Sequence, residues 1–260
     1  MNAYQRCAAG VLLATLATTV LAEKKPNDGE LTISLGAARS TDDGRGDVTA
    51  KPKWSPNFNI DYRLGRFFAG LGGVGYDVVQ SEGYTVFVGA GLNPGRKEGK
   101  PNDNPRLVGM GKVPASAELL VGASAELLDG LLSVNATHMR SSRSEQGGTT
   151  SFGATVGVPV WGDSVSAFLS VNAIHADAKH AQTYYGVTAA QAARSGNRVF
   201  RAKGGIIGSD LTLGLNWSID KQWSASASLG RETKRGSAAL SPLTTRKNSS
   251  TAALGVSYTF

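Results

Sequence analysis

Apolar and polar residues alternate along most of this chain, and the alternation is cleanest toward its end. In segment 210–220, DLTLGLNWSID, the odd-numbered positions are Leu, Leu, Leu, Trp and Ile, whereas the even-numbered positions are small or polar. Segment 250–260, STAALGVSYTF, repeats the pattern with Ala, Leu, Val, Tyr and Phe on its apolar face. A period of two places successive side chains on opposite sides of a β-strand, so each segment predicts a strand with one apolar face.

Similar alternation occurs in further segments at about 31–37, 57–62, 83–92, 115–127, 131–139, 151–158, 164–175 and 223–230. The face opposite the apolar one carries Ser, Gly, Thr, Asn and Glu. A β-sandwich core needs large apolar residues on both inner walls, and this composition does not supply them. The apolar faces therefore require a partner other than a second sheet.

The N-terminal segment indicates export. Residues 1–22 are predicted to be a signal peptide, with Arg6 before an apolar run that ends in the small residue Ala22. The single cysteine, Cys7, precedes that run, so it is not the lipid-bearing cysteine of a lipoprotein and is expected to leave with the signal peptide. Residues 23–260 are then predicted to form one barrel domain.

Beyond Ala22 the sequence has no run of about 18 apolar residues, the length that a transmembrane helix needs. A closed barrel is the other structure that satisfies its backbone in lipid. The fold class is therefore all-β: a closed antiparallel transmembrane β-barrel with short periplasmic turns and long external loops. We expect 12 strands, with 10 as the alternative, because segment 66–83 is either two short strands folded at Gly72-Gly73 or one strand and an inward segment.

Aromatic residues and connection lengths distinguish the two ends of this barrel. Connections are short near 130, 161 and 221 and longer at 39–53, 93–114, 140–149, 176–204 and 234–248. Trp161, Trp217 and Trp223 lie beside short turns and are expected to form a periplasmic aromatic girdle. The C-terminal residues Val256, Tyr258 and Phe260 are expected to serve as the barrel-assembly signal.

One long loop should contain a helix. Thr188 is followed three residues later by Gln191, which is the spacing of a capping box, and Gly196 suits the position after the last turn. We predict a short helix at 188–195. This helix and the glycine-rich segment near 72 are the candidates for plugs that would close the lumen, and the sequence does not decide between an open and a plugged barrel.

Three motifs resemble a known family: YYGVTAAQAARSG at 184–196, GRFFAGLGGVGYD at 65–77, and the C-terminal SPLTTRKNSSTAALGVSYTF at 241–260. Together they are similar to the MipA/OmpV family of Gram-negative outer-membrane proteins, named after the MltA-interacting protein. The resemblance implies an outer-membrane barrel. For the founding member it also implies a scaffold that joins a lytic transglycosylase to a bifunctional murein synthase, whereas other relatives are discussed as adhesins, antigens or porin-like proteins.

The sequence predicts no catalytic, cofactor-binding or metal site, and we do not expect an enzyme. Asn135 and His138 are three residues apart on a strand and therefore face opposite ways. The segment HADAKH at 175–180 lacks the third or fourth ligand that a metal site needs. Glu118 and Glu126, with Asp61 and Asp220, are more typical of a charged lumen wall than of paired catalytic carboxylates.

Positive charge is concentrated in the predicted external loops, where the basic residues include Lys179, Arg194, Arg198, Arg201, Lys203, Arg246 and Lys247. Outer-membrane lipid and lipopolysaccharide are the expected partners of this basic surface. The equally weighted alternative is that these residues are ordinary solvated loop charge without a partner. Nucleic acid is not an expected partner. The predicted function is a scaffold for murein-synthesising and murein-hydrolysing enzymes at the cell envelope. The alternatives are a small passive channel and a surface adhesin or lipopolysaccharide-binding barrel.

Overall fold

A computed structural model describes residues 29–41, 54–101 and 104–260. The predicted signal peptide lies outside these described residues. Twelve strands are present: β1 (Glu30–Ser40), β2 (Trp54–Leu64), β3 (Phe67–Gly70), β4 (Gly73–Ser81), β5 (Tyr84–Asn93), β6 (Ser116–Leu127), β7 (Leu132–Ser141), β8 (Gly148–Trp161), β9 (Val165–Ala176), β10 (Gly205–Ser218), β11 (Trp223–Lys234) and β12 (Asn248–Thr259).

Every strand pairs antiparallel with its neighbours in sequence, and β1 pairs with β12, so the sheet closes into a barrel. The prediction of an all-β, closed antiparallel barrel with 12 strands is confirmed. Segment 66–83 forms the two short strands β3 and β4, joined by a turn at 71–72. Closure leaves no free sheet edge between the first and last strands, as a barrel in lipid requires.

The register gathers the apolar faces of all strands on the outside of the barrel. Leu35 of β1 lies opposite Phe58 of β2 and Val256 of β12, and these side chains are 61%, 48% and 43% exposed. Such an apolar outer surface is costly in water but suits a hydrocarbon solvent. The alternation in the sequence therefore corresponds to a lipid-facing side and an inner side.

The two ends of the barrel differ in their connections. One end carries the start of β1, the end of β12 and the short turns at 65–66, 82–83, 128–131, 162–164 and 219–222. The other end carries the longer connections at 94–115, 142–147, 177–204 and 235–247. Outer-membrane barrels place short turns in the periplasm and long loops outside, so we call these ends periplasmic and external. The short connection predicted near 161 is the 162–164 turn, which directly follows Trp161, the last residue of β8, and the β8–β9 register shifts between Pro159 and Trp161.

Three α-helices of the described chain lie at the external end: α1 (Ala178–Tyr185), α2 (Ala189–Ser195) and α3 (Gly236–Leu240). The predicted helix is confirmed as α2, with the Thr188 capping box and Gly196 in a left-handed conformation (φ 72°). Helix α1 was not predicted, although Asp177 is its N-cap and accepts from the His180 backbone N–H. No helix in the described part of the chain is long and apolar enough to span a membrane.

The buried apolar core of the described chain sits at the external end rather than inside the barrel. One cluster consists of Ala176, Ala181, Tyr184, Tyr185, Ala202, Ile207 and Ala238, and a second consists of Leu107, Met110 and Val187. Phe200 packs against both clusters and joins them. We call the described residues of segments 94–115, 142–147, 177–204 and 235–247 the cap.

Candidate functional sites at the two ends of the barrel

Hydrogen bonds between different loops hold the cap together as one unit. The Arg106 guanidinium donates to the Pro242 carbonyl (2.7 Å), and the Gln191 side-chain amide donates to the Met110 carbonyl (2.9 Å). The Ser241 hydroxyl donates to the Tyr185 carbonyl (2.7 Å). These bonds join loops that are far apart in sequence, so the predicted long loops do not project separately into solvent.

A buried polar network attaches the cap to the strands below it. The hydroxyls of Ser116 in β6 and Ser141 in β7 donate to the Gln146 side-chain oxygen at 2.6 and 3.1 Å, and the Gln146 amide donates to the Pro114 carbonyl at 2.7 Å. Both the amide oxygen and the amide nitrogen of Gln146 therefore have partners, which is the condition under which such a network stabilises a unique arrangement.

Asp177 supplies the second attachment between the cap and the barrel. Its carboxylate accepts from the His180 backbone N–H (2.7 Å) at the start of α1, from the Gly148 N–H (3.0 Å) at the start of β8, and from Arg140 (3.2 Å). One carboxylate thus connects a cap helix to two strands. From the sequence, Asp177 was considered only as a weak metal ligand.

His180 is half-buried behind this junction, where its ring packs on Tyr184 with 4.5 Å between ring centroids. Burial disfavours the charged imidazolium and lowers the pKa of His180 to about 4, although the negative charge of Asp177 and a backbone hydrogen bond at Gln146 act in the opposite direction. His180 is therefore neutral at pH 7 and part of the packed cap.

The outer surface of the cap is basic. Segments 94–115, 142–147, 177–204 and 235–247 contain fourteen Lys and Arg residues against four Asp and Glu residues. Of the seven basic residues singled out from the sequence, Lys179, Arg194, Arg198, Arg201, Lys203 and Lys247 are exposed. Arg246 is half-buried and donates to the Thr41 carbonyl at 2.8 Å. The cap therefore presents an electropositive surface to the exterior.

The side chains on the inner wall are less uniformly small than the sequence suggested. Three phenylalanines face inward, and each ring covers the glycine directly opposite on the next strand: Phe68 covers Gly75, Phe87 covers Gly122, and Phe168 covers Gly214. The expectation of Ser, Gly, Thr, Asn and Glu on the face opposite the apolar one is therefore wrong at these positions. Because the glycines have no Cβ, a ring has room to lie flat against the wall.

The acidic residues considered from the sequence are not assembled into a pair. Glu118 accepts from the Asn93 amide at 2.9 Å, and Asp61 accepts from Asn59 on its own strand. Asp220 does not line the lumen, contrary to the prediction: it is exposed in the 219–222 turn, where the backbone N–H groups of Trp223 and Gln222 bind its carboxylate and lower its pKa. Among the described residues, no three His, Cys, Asp or Glu side chains could hold a metal ion.

The periplasmic end exposes large apolar side chains on two neighbouring turns. Leu128 at the β6–β7 turn is 69% exposed, and Trp161 at the β8–β9 turn is 79% exposed. The β6–β7 turn borders β8, because the Gly157 N–H donates to the Leu131 carbonyl (2.9 Å), and Trp161 lies four residues further along β8. Leu128 and Asp129 both adopt positive φ, 53° and 54°, which is uncommon for residues other than glycine and costs conformational energy. Leu128 was not singled out from the sequence, since positive φ leaves no signal at a leucine.

The other residues expected at this end lie where the sequence suggested. Trp217 and Trp223 flank the 219–222 turn, and the ring of Trp223 packs edge-on against Tyr258, with 4.8 Å between centroids. Tyr258 in turn contacts Phe260 at 4.6 Å. Their roles as a girdle and as an assembly signal remain predictions.

Comparison with known proteins gives one family match. The family model described as MltA-interacting protein MipA matches residues 33–260. No curated protein matches the chain.

The solved structures that resemble the chain include porins of low sequence identity. The NanC porin is 8% identical with a TM-score of 0.48, covering 87% of this chain and 98% of its own. The KdgM porin is 10% identical with a TM-score of 0.46, covering 88% and 99%. An anion-selective porin from Comamonas acidovorans is 9% identical with a TM-score of 0.45, covering 90% and 99%. Likenesses this distant carry no functional argument.

Proposed function

The chain belongs to the MipA family of outer-membrane barrel proteins, and from that membership we propose that it is a non-enzymatic scaffold whose periplasmic end binds a lytic transglycosylase of the MltA type and a murein synthase. The family description names MltA as the interacting protein. Murein and its enzymes lie on the periplasmic side of the outer membrane, so the short turns are the part of this barrel that can reach them.

The observation that carries the proposal is the exposure at the periplasmic end of Leu128, in the 128–131 turn, and of Trp161, the last residue of β8. Exposed apolar anchors surrounded by polar groups are typical of the centre of a protein interface, and here Asp129 and Asp163 flank the two anchors. Leu128 is also held in a left-handed conformation. A strained, exposed leucine is more consistent with a binding role than with turn stability, because Asn or Gly would form the same turn at lower cost.

The external end supports the same function indirectly. Four external loops pack into a cap with its own buried core, and we propose that this cap obstructs the open mouth that a diffusion channel needs. Stable complexes bury about 800 Å² on each partner, more than two turns offer. We therefore propose that the partner also contacts the turns on either side, at 82–83 and 219–222.

Photocrosslinking in living cells tests this proposal. A crosslinking amino acid at position 128 or 161 should capture a lytic transglycosylase or a murein synthase, identified by mass spectrometry, whereas the same group at Lys247 on the cap should capture neither. Leu128→Asn is the matched variant, because asparagine tolerates positive φ and preserves the turn. It should reduce capture at position 161, and Arg66→Gln, in the more distant 65–66 turn, should not. Equal capture of murein enzymes from the cap would contradict the proposal.

The passive channel is the alternative that purified protein can test. Planar-bilayer recordings should be silent if the cap closes the barrel, and ohmic conductance steps would favour transport instead. A deletion within 189–195 should serve as the positive control, because it removes α2 from the packed cap.

A role at the cell surface is a second proposal, and it rests on the exposed basic residues of the cap. Lipopolysaccharide carries phosphates that these side chains would neutralise. Replacing Arg194, Arg198 and Arg201 by glutamine should then weaken attachment to lipopolysaccharide without unfolding the barrel. An unchanged affinity would leave these residues as ordinary solvated charge.

A further inference from the structure

Two of the arginines on the outer, lipid-facing side of the barrel wall flank the same strand, β12. Arg39 of β1 shares its face with Leu35 and Ala37, and Arg231 of β11 shares its face with Leu229. Both arginines are exposed, and neither guanidinium forms a hydrogen bond or ion pair with a described residue. A charged group on this face is costly at the membrane midplane and becomes tolerable only at the interface.

The strand register places both arginines near the external membrane surface. Arg39 lies opposite Trp54, the first residue of β2 at the external end, and tryptophans gather at membrane interfaces. Arg231 lies opposite Ser250 of β12. Ser250 is eight residues from Tyr258 on the same strand, and the Tyr258 ring lies at the periplasmic end. Eight residues at about 3.3 Å each, tilted by about 40°, span roughly 20 Å. The arginines therefore reach the level of the outer-leaflet headgroups.

An apolar groove continues from the arginines toward the periplasm. Its external part, about 460 Å³, lies between Arg39 and Arg231, with Ser250 and Ala252 of β12 between them. Its periplasmic part, about 630 Å³, continues on the outer wall along the same four strands β10, β11, β12 and β1, two residues further along, and is also lined by Val165 of β9. Ala225 and Ala227 form the floor of this part, because their small side chains leave a depression among larger neighbours. The described residues that line the two parts include no Asp or Glu.

This combination of charge and shape identifies the ligand class. We propose that the groove binds lipopolysaccharide from the outer leaflet, with Arg39 and Arg231 on the phosphates of its lipid A and an acyl chain over Ala225 and Ala227. Guanidinium groups bind phosphate through paired charge-assisted hydrogen bonds. The two arginines flank β12, so their backbones are separated by two strand spacings, roughly 10 Å. That separation suits a headgroup with more than one phosphate better than a single phosphodiester.

This wall site is separate from the exposed basic residues of the cap and does not depend on the scaffold function. Cap residues such as Lys179 and Lys247 project outward into solvent, whereas the wall arginines have hydrocarbon-facing neighbours on the same strands. A lipid bound here would also contact the seam between β1 and β12, where the first and last strands close the barrel.

Native mass spectrometry of the delipidated barrel tests the proposal. Purified protein in detergent is titrated with short-chain lipopolysaccharide, with the same lipid after phosphatase treatment, and with phosphatidylglycerol. The wild type should bind the phosphorylated glycolipid at least about tenfold more tightly than the Arg39→Gln, Arg231→Gln double variant, since two charge-assisted phosphate contacts are lost. Phosphatase treatment should reproduce the loss.

Two further variants test whether the groove and its arginines, rather than the overall charge of the protein, determine binding. Ala227→Leu fills the groove while keeping both arginines, and it should weaken binding as well. The matched control, Lys179→Gln with Lys247→Gln, removes two cap charges and should leave binding unchanged. Undiminished binding by the arginine double variant would overturn the proposal, and so would equal, arginine-dependent binding of phosphatidylglycerol, which would make the ligand an anionic phospholipid. Heat-modified mobility on gels shows whether each variant is folded.

Discussion

At the scale of single residues, the barrel wall depends on pairs in which a phenylalanine ring covers a glycine on the next strand. Phe87 and Gly122 are directly opposite each other, and a Cβ added at Gly122 would overlap the Phe87 ring. The sequence shows both residues but not their pairing, because the register between β5 and β6 depends on contacts about 35 positions apart. This is why the alternation predicted small inner residues correctly in general and failed at the phenylalanines.

The Phe87–Gly122 pair makes a testable prediction about stability. Gly122→Ala should displace the ring and lower the free energy of unfolding by about 1–2 kcal/mol, the usual cost of overpacking. Phe87→Ala should then remove most of the penalty of Gly122→Ala, so the double variant should be non-additive. Urea titrations in lipid vesicles measure these differences. Gly72→Ala is the control, since a Cβ there meets no atom within 4 Å; additive effects would contradict the pairing.

At the scale of elements, the cap is the part that the sequence predicted least well. The capping box identified α2 because its signals are local, within 188–196. The packing of Phe200 against two clusters, and the attachment of the cap through Asp177 and Gln146, involve residues from several loops. Sequence patterns at one position carry no information about such contacts. The four loops therefore become recognisable as one unit only in the folded chain.

His180 should make the cap sensitive to acid. Its pKa is lowered from 6.5 to about 4 in the folded cap, so between these values the unfolded histidine binds a proton that the folded one excludes. The contribution of His180 to the free energy of unfolding is therefore greatest above pH 6.5. It is lost as pH falls toward 4, by ~3 kcal/mol in total. Amide hydrogen exchange in 177–204 should therefore be faster at about pH 4.5 than at about pH 7.5 after correction for intrinsic rates.

A substitution isolates the contribution of this histidine. His180→Phe keeps a ring against Tyr184 and removes the titration, so the corrected exchange rates of the cap should become nearly independent of pH. His138→Phe, on the lipid-facing wall of β7, is the control and should retain the wild-type pH dependence. If both variants behave alike, the sensitivity has another source.

The last strand, β12, makes a prediction about assembly. Trp223, Tyr258 and Phe260 form a continuous series of edge-on aromatic contacts at the periplasmic end of β11 and β12. Phe260→Ala should reduce the amount of heat-modifiable, folded protein in the outer membrane several-fold, because the terminal aromatic is the predicted assembly signal. Phe152→Ala removes a similarly exposed ring from the middle of the wall and should change the folded amount much less. Equal losses would indicate a general requirement for apolar area.

At the scale of the whole molecule, the barrel could be predicted from the sequence because lipid imposes the same period on every strand. The count of twelve followed from the two short strands β3 and β4 around residues 71–72. The lipid-facing Arg39 and Arg231 were not singled out, since only the register reveals that β12 places them on either side of one groove. The functions proposed for the periplasmic turns, the cap and the wall all require the same orientation of the barrel.

That orientation can be measured directly, because Cys7 is the only cysteine in the chain and lies in the predicted signal peptide. Single cysteines at Lys247 in the cap and at Lys221 in the 219–222 turn are treated, in intact cells, with a maleimide that does not cross membranes. We expect labelling of Lys247→Cys in intact cells and of Lys221→Cys only after the outer membrane is permeabilised. Labelling of Lys221→Cys in intact cells, with protection of Lys247→Cys, would contradict this orientation and with it the proposed scaffold.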